Sequence, residues 1–99
     1  MGVRGHRVEA TVRASVAVVM NATGETLTGL GEVLGLSTAL VGRRQRGVTP
    51  WTLAELGGLA DHWGIPVDCL VAGPTETMAA LPAERVAELR QAHGLPLTA

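Results

Sequence analysis

Three arginines, Arg43, Arg44 and Arg46, fall within four residues, and no acid lies near them in sequence. A guanidinium is always charged and presents its N–H donors in a flat fork. That fork matches two chemistries: the O6 and N7 edge of guanine, and the oxygens of a phosphate. Arg4, Arg7 and Arg13 make the N-terminal end basic too, while most acids lie elsewhere, at Glu55, Asp61, Asp68, Glu76, Glu84 and Glu88. All eight basic side chains are Arg. The net charge of −1 does not point to a polyanionic partner, but a neutral total still permits one basic face. An isolated arginine cluster is more often a solvated helix face than a site, so its meaning depends on what carries it.

The other reactive side chains offer less. His6, His62 and His93 are far apart and lack Cys or carboxylate partners at ligand spacing, so no metal is expected. Cys69 is the single cysteine. It can form neither an internal disulfide nor a multi-cysteine metal site, and it reads as a small buried hydrophobe. No Ser–His–Asp order, phosphate loop or paired acids stand out. The expectation is a protein that is not an enzyme and takes no cofactor. No apolar run reaches membrane-spanning length and the start lacks a signal-peptide pattern, so the expected location is a bacterial cytoplasm.

The elements that must carry the arginines follow from periodicity and punctuation. Val8, Val12, Val16, Val19 and Met20 recur at steps of three and four and predict an amphipathic first helix, ended by Asn21, Thr23 and Gly24. Arg4 and Arg7 precede it as an arm or a soluble tail. Thr26 caps a second helix with Leu27, Leu30, Val33 and Leu34 inward; Gly29 and Gly31 within it imply close packing. Gly35 stops it. Ser37 caps a third helix reaching Arg46, with Leu40 and Val41 inward and Gly47 at its end.

Thr49 and Pro50 predict the cap and first residue of a fourth helix, with Leu53, Leu56, Leu59, Ala60 and Trp63 as its stripe and Gly64 as its stop. A fifth runs from Pro66 to Val71. Residues 73–80 read as a linker. Pro82 opens a sixth helix to His93, with Val86 and Leu89 inward, Arg85 and Arg90 outward, and Gly94 and Pro96 ending it. With 99 residues and 46% apolar composition, the expectation is an all-α fold. Residues 1–73 form a five-helix domain, and 74–99 a linker plus C-terminal helix. Phe and Tyr are absent, so Trp51 and Trp63 must anchor an aliphatic core.

The segment from Leu27 to Gly47 meets the demands of a helix-turn-helix. A glycine permits the turn, an apolar residue fills the angle, and a serine caps the second helix. The motif Leu30-Gly31-Glu32-Val33-Leu34-Gly35-Leu36-Ser37, the closing Gly47, and the run from Thr52 to Leu70 resemble the lambda-repressor-like family of Cro and phage-repressor regulators. The resemblance spans roughly Val8 to Leu70. It implies that helix 37–46 enters a major groove, with base contacts from Thr38, Ala39 and Arg43 and with Gly42 close to the groove wall. It implies phosphate contacts from Ser37, Arg46, Leu27 and Thr28. Arg44 stands where the family has an apolar residue; its stem is expected to cover the core while its head reaches out.

The expected function is that of a sequence-specific regulator of transcription, a repressor of phage Cro or immunity type. Its partner would be an imperfectly palindromic double-stranded DNA operator bound by a homodimer. Helix 82–93, with Val86, Leu89, Leu95 and Leu97, is the first candidate for the dimer face, and Val67 to Val71 the second. The chain is too short for a separate sensing domain, so no small-molecule ligand is expected. The alternative is a protein-interaction module on the same fold, an antitoxin or anti-repressor. A membrane-surface role conflicts with Glu84 and Glu88 in the last helix.

Overall fold

A computed structural model describes residues 3–94, with side chains from Arg7 onward. It consists of helices α1 (Val3–Thr23), α2 (Leu27–Leu34), α3 (Thr38–Arg46), α4 (Leu53–Trp63), α5 (Val67–Ala72), α6 (Pro74–Ala80) and α7 (Ala83–Ala92). No strand occurs among the described residues, and the all-α class holds. Expectations placed on the side chains of Arg4 and His6, and on Leu95, Pro96 and Leu97, lie outside the described residues.

The long α1 forms the spine, and α3, α5, α6 and α7 pack against it. Its Val12, Val16 and Val19 meet Leu30 of α2, Val41 of α3, Leu56, Leu59 and Trp63 of α4, Leu70 of α5 and Leu89 of α7 in one buried cluster. Trp63 is its largest fully buried side chain, and Trp51 is buried at its edge. Burying each such aliphatic side chain stabilises the fold by about 1.5–3 kcal/mol.

Several expectations change. Helix α1 begins at Val3, so Arg4 and Arg7 lie on a helix and form no arm. Val8 and Val33 are exposed, beyond the reach of the core. Helix α4 starts three residues later than Thr49-Pro50 would start it. Thr52 accepts from the Glu55 N–H at 3.1 Å while Glu55 accepts from the Thr52 N–H at 3.0 Å. This reciprocal cap satisfies two orphan donors at once, which neither Thr49 nor Pro50 could do. Leu53 then becomes the first helical residue and is 73% exposed, outside the stripe.

Residues 74–80 are a helix, not a linker. Thr77 holds it in place: fully buried, it donates from Oγ1 to the Cys69 carbonyl at 2.8 Å. Ser15 makes the matching tie from α1, donating to the Leu70 carbonyl at 2.9 Å. These two side-chain bonds tie carbonyls near the end of α5 to α6 and α1. Cys69 is half-buried, not fully buried. In α7, Leu89 is buried as expected, but Arg85 and Arg90 turn back onto the domain. Arg85 donates to the His62 carbonyl at 2.7 Å, and Arg90 donates to the Ala22 carbonyl at 2.9 Å.

Candidate nucleic-acid interface

Helices α2 and α3 form the turn anticipated from the sequence. Thr26 caps α2 through the Gly29 N–H, and Ser37 caps α3 through the Leu40 N–H at 3.1 Å. Gly35 joins them at φ +71°, and the Leu36 N–H returns to the Gly31 carbonyl at 2.8 Å. This return brings the Leu36 carbonyl to 2.5 Å from where a Cβ on Gly31 would stand. Backbone cannot yield there as a side-chain tip can, so the turn itself demands glycine at position 31.

The inward side of α3 is tied down at Val41, Arg44 and Gln45, whereas Leu40, expected inward, is only half-buried. Val41 is fully buried. Arg44 grips Glu55 of α4 with two bonds, Nε to Oε1 at 2.9 Å and Nη2 to Oε2 at 3.0 Å, and donates to Thr49 Oγ1 at 2.6 Å. Gln45 donates to the Arg13 carbonyl of α1 at 3.2 Å and accepts from the Trp51 indole N–H at 2.8 Å. The Arg13 guanidinium lies against Gly47, where α3 ends in the left-handed conformation. Arg44's hydrogen bond holds the Glu55 carboxyl below the ordinary carboxylate range, against the opposing effect of burial. The same bond raises the Arg44 guanidinium.

The outward side is free. Ser37, Thr38, Ala39, Arg43 and Arg46 are exposed. The guanidinium groups of Arg43 and Arg46 have no hydrogen bond or ion pair among the described residues. Thr38 shares a 3.0 Å hydrogen bond with Thr28 of α2, which joins the start of both helices on this face. Gly42 is buried beneath Arg46: a Cβ there would meet Arg46 Nη1 at 2.9 Å and Leu27 Cδ1 at 3.8 Å. Seven of the eight site residues anticipated from the sequence therefore surround one face. Arg44 is the exception, because its head is spent on Glu55 and Thr49 instead of reaching out. Sequence reasoning missed Gln45 and Glu55. Nothing in a hydrophobic pattern marks them, although Thr52 and Glu55 at capping-box spacing were visible.

A second polar cluster lies behind the motif. Glu25, 7% exposed, accepts at Oε1 from the Trp63 indole at 2.7 Å and from Thr23 Oγ1 at 2.8 Å. Its Oε2 meets His62 Nε2 at 2.5 Å. Arg85 Nη2 lies 3.3 Å from His62 Nδ1, and a guanidinium can only donate. His62 Nε2 therefore donates to the Glu25 carboxylate, which can only accept. The cluster binds the end of α1, the approach to α2, and α4 and α7 together. Among the described residues no group of His, Cys, Asp and Glu could hold a metal, and no helix is long and apolar enough to cross a membrane.

A capped helix fixed from within, offering uncommitted guanidinium and hydroxyl groups outward beside a glycine turn, belongs to the class of helix-turn-helix DNA-binding domains. Residues 8–96 match the BetR domain, and the chain belongs to that family of helix-turn-helix-like DNA-binding domains. No curated protein and no solved structure matches the chain. The family makes it a DNA-binding regulatory domain, with DNA as its partner.

Proposed function

We propose that this chain is a sequence-specific repressor of transcription, of the phage Cro type, that binds an imperfectly palindromic operator as a homodimer without catalytic activity. The uncommitted outer face of α3 carries the proposal. Arg43 is the guanine reader: it is exposed, unpaired, and rooted on a helix whose opposite side is hydrogen-bonded to α1 and α4. Thr38 and Ala39 take neighbouring base edges, one by hydrogen bond or methyl contact and the other by apolar contact alone. Ser37, Thr28 and Arg46 approach phosphates, aided by the free N–H groups at the start of α3. Arg44 acts on DNA only through position, by fixing the pitch of α3 against α4. Repression is steric, since the bound dimer covers promoter DNA.

The test is fluorescence anisotropy on the DNA upstream of the protein's own coding sequence, against a scrambled duplex, at two salt concentrations. A selection from random duplexes runs in parallel. Preference for one site, weakened by salt and lost in Arg43→Ala, is the expected result. Failure of both experiments to yield a preferred site rejects sequence-specific recognition.

A further inference from the structure

Leu89 of helix α7 is already buried in the domain's own core and is not offered to a partner. A different apolar surface is left without a partner. Val8 of α1 and Val71 of α5 are 47% and 42% exposed, and together with Val12, Pro50, Trp51 and Leu56 they line a pocket of about 110 Å³. Leu53, one helical turn before Leu56, stands out at 73% exposure. The pocket can hold one branched aliphatic side chain, and the surface beside it presents one.

From this we infer that a second copy of this chain docks here, related by a two-fold axis, with Leu53 of each copy entering the pocket of the other. An isologous contact requires each copy to offer both a projection and a recess, and Leu53 and the pocket supply the two. Its charges are self-complementary as well. Glu9 and Arg13 flank the pocket on α1, and neither side-chain head has an ion pair among the described residues. In a two-fold pair, Glu9 of each copy faces Arg13 of the other. Arg13 also lies against Gly47, so the paired surface adjoins the C-terminal end of the recognition helix. Pairing there keeps two recognition helices beside one another. This supplies the two-fold partner of the proposed operator and rests on the repressor proposal for its purpose.

The association is measured without DNA, so its outcome is independent of operator recognition. Sedimentation equilibrium of the full chain should give twice the monomer mass, and Leu53→Glu and Val8→Glu should weaken association by about tenfold or more. Both positions are exposed, and circular dichroism should report unchanged helicity. Glu9→Arg and Arg13→Glu provide the sharper test. Each variant is repelled by itself, yet an equimolar mixture should form mixed dimers, because each supplies the charge the other needs. A chain that stays monomeric at every concentration overturns the inference, and so does a dimer indifferent to these four substitutions. A monomer that still selects one DNA site would leave the repressor proposal standing and this inference refuted.

Discussion

Along the outer face of α3, polar side chains face solvent with almost no internal bonds. Around Glu25, the polar groups are buried or half-buried and paired: one carboxylate serves Thr23, His62 and Trp63, and His62 in turn meets Arg85. Threonine and arginine occur in both regions. Arg43 and Arg85 differ only in what surrounds them, an open helix face in one case and the α4 C-terminus in the other. A polar group buried without a partner costs about 1–3 kcal/mol. Residues in the Glu25 cluster are therefore held in place by folding, whereas those on α3 remain available to a ligand. The comparison separates stability from recognition, and substitutions can test each alone.

The largest effect should come from Trp63. Trp63→Ala empties the centre of the core and strips Glu25 of its indole donor, at a cost of about 3–5 kcal/mol. For a small domain that approaches the whole margin of stability. Thermal melting should show a largely unfolded chain, with DNA binding lost along with the fold. Arg43→Ala should do the reverse. Its melting temperature should stay that of the parent, since exposed positions rarely change stability by more than about 0.5 kcal/mol. Its affinity for the preferred site should fall by about 1–3 kcal/mol, with discrimination relaxed at one guanine. A loss of stability in Arg43→Ala would erase the distinction between the two regions.

The Arg44–Glu55 pair lies between these extremes, partly exposed and part of the frame. Glu55→Gln should lower stability at neutral pH by about 0.5–1 kcal/mol, the range of a solvent-screened ion pair. The sign of the pH effect follows from Glu55's lowered folded-state value. The unfolded carboxyl takes up its proton first as pH falls, so the pair's stabilisation is complete above about pH 4.3, the usual glutamate value. It declines below that and is gone once the folded carboxyl is protonated too. Melting curves of parent and Glu55→Gln should converge in that acid window. A gap that persists there would assign the effect to something other than the charge on Glu55.

The sequence carried the local signals well and the long-range ones poorly. Both caps of the motif, the turn at Gly35 and the end at Gly47 were readable because each depends on a residue acting on its own backbone. The close packing read from the glycines of α2 holds at Gly31, where the Leu36 carbonyl closes in, but not at Gly29, which has only ordinary contacts. Helix α6 was not readable, because Thr77 gains its place from a carbonyl eight residues back and carries no apolar signature. Arg44 was misjudged for a related reason. Its partner Glu55 is eleven residues away, and only the packing of α3 and α4 against α2 brings them together. Leu53 looked like core because it fits the helical period, but the capping box at Thr52 shifted the start of α4 and left it outside.

Arg46 provides the finest division within the outer face. Its guanidinium folds over Gly42 instead of projecting from the helix as a reader would. A charge held against the helix surface suits a phosphate oxygen better than a base edge deep in a groove. Arg46→Ala should therefore weaken binding to all duplexes by a similar factor and leave the sequence preference intact. The slope of log affinity against log salt should become shallower by about one, the signature of one lost phosphate contact. Gly42→Ala is the companion variant. A methyl there would push the guanidinium outward, a shift a flexible tip can make at little cost in stability, and should reproduce part of the Arg46→Ala effect. If either substitution changed which site is preferred, Arg46 would join Arg43 among the base readers, and the division of the face into a reading part and a positioning part would fail.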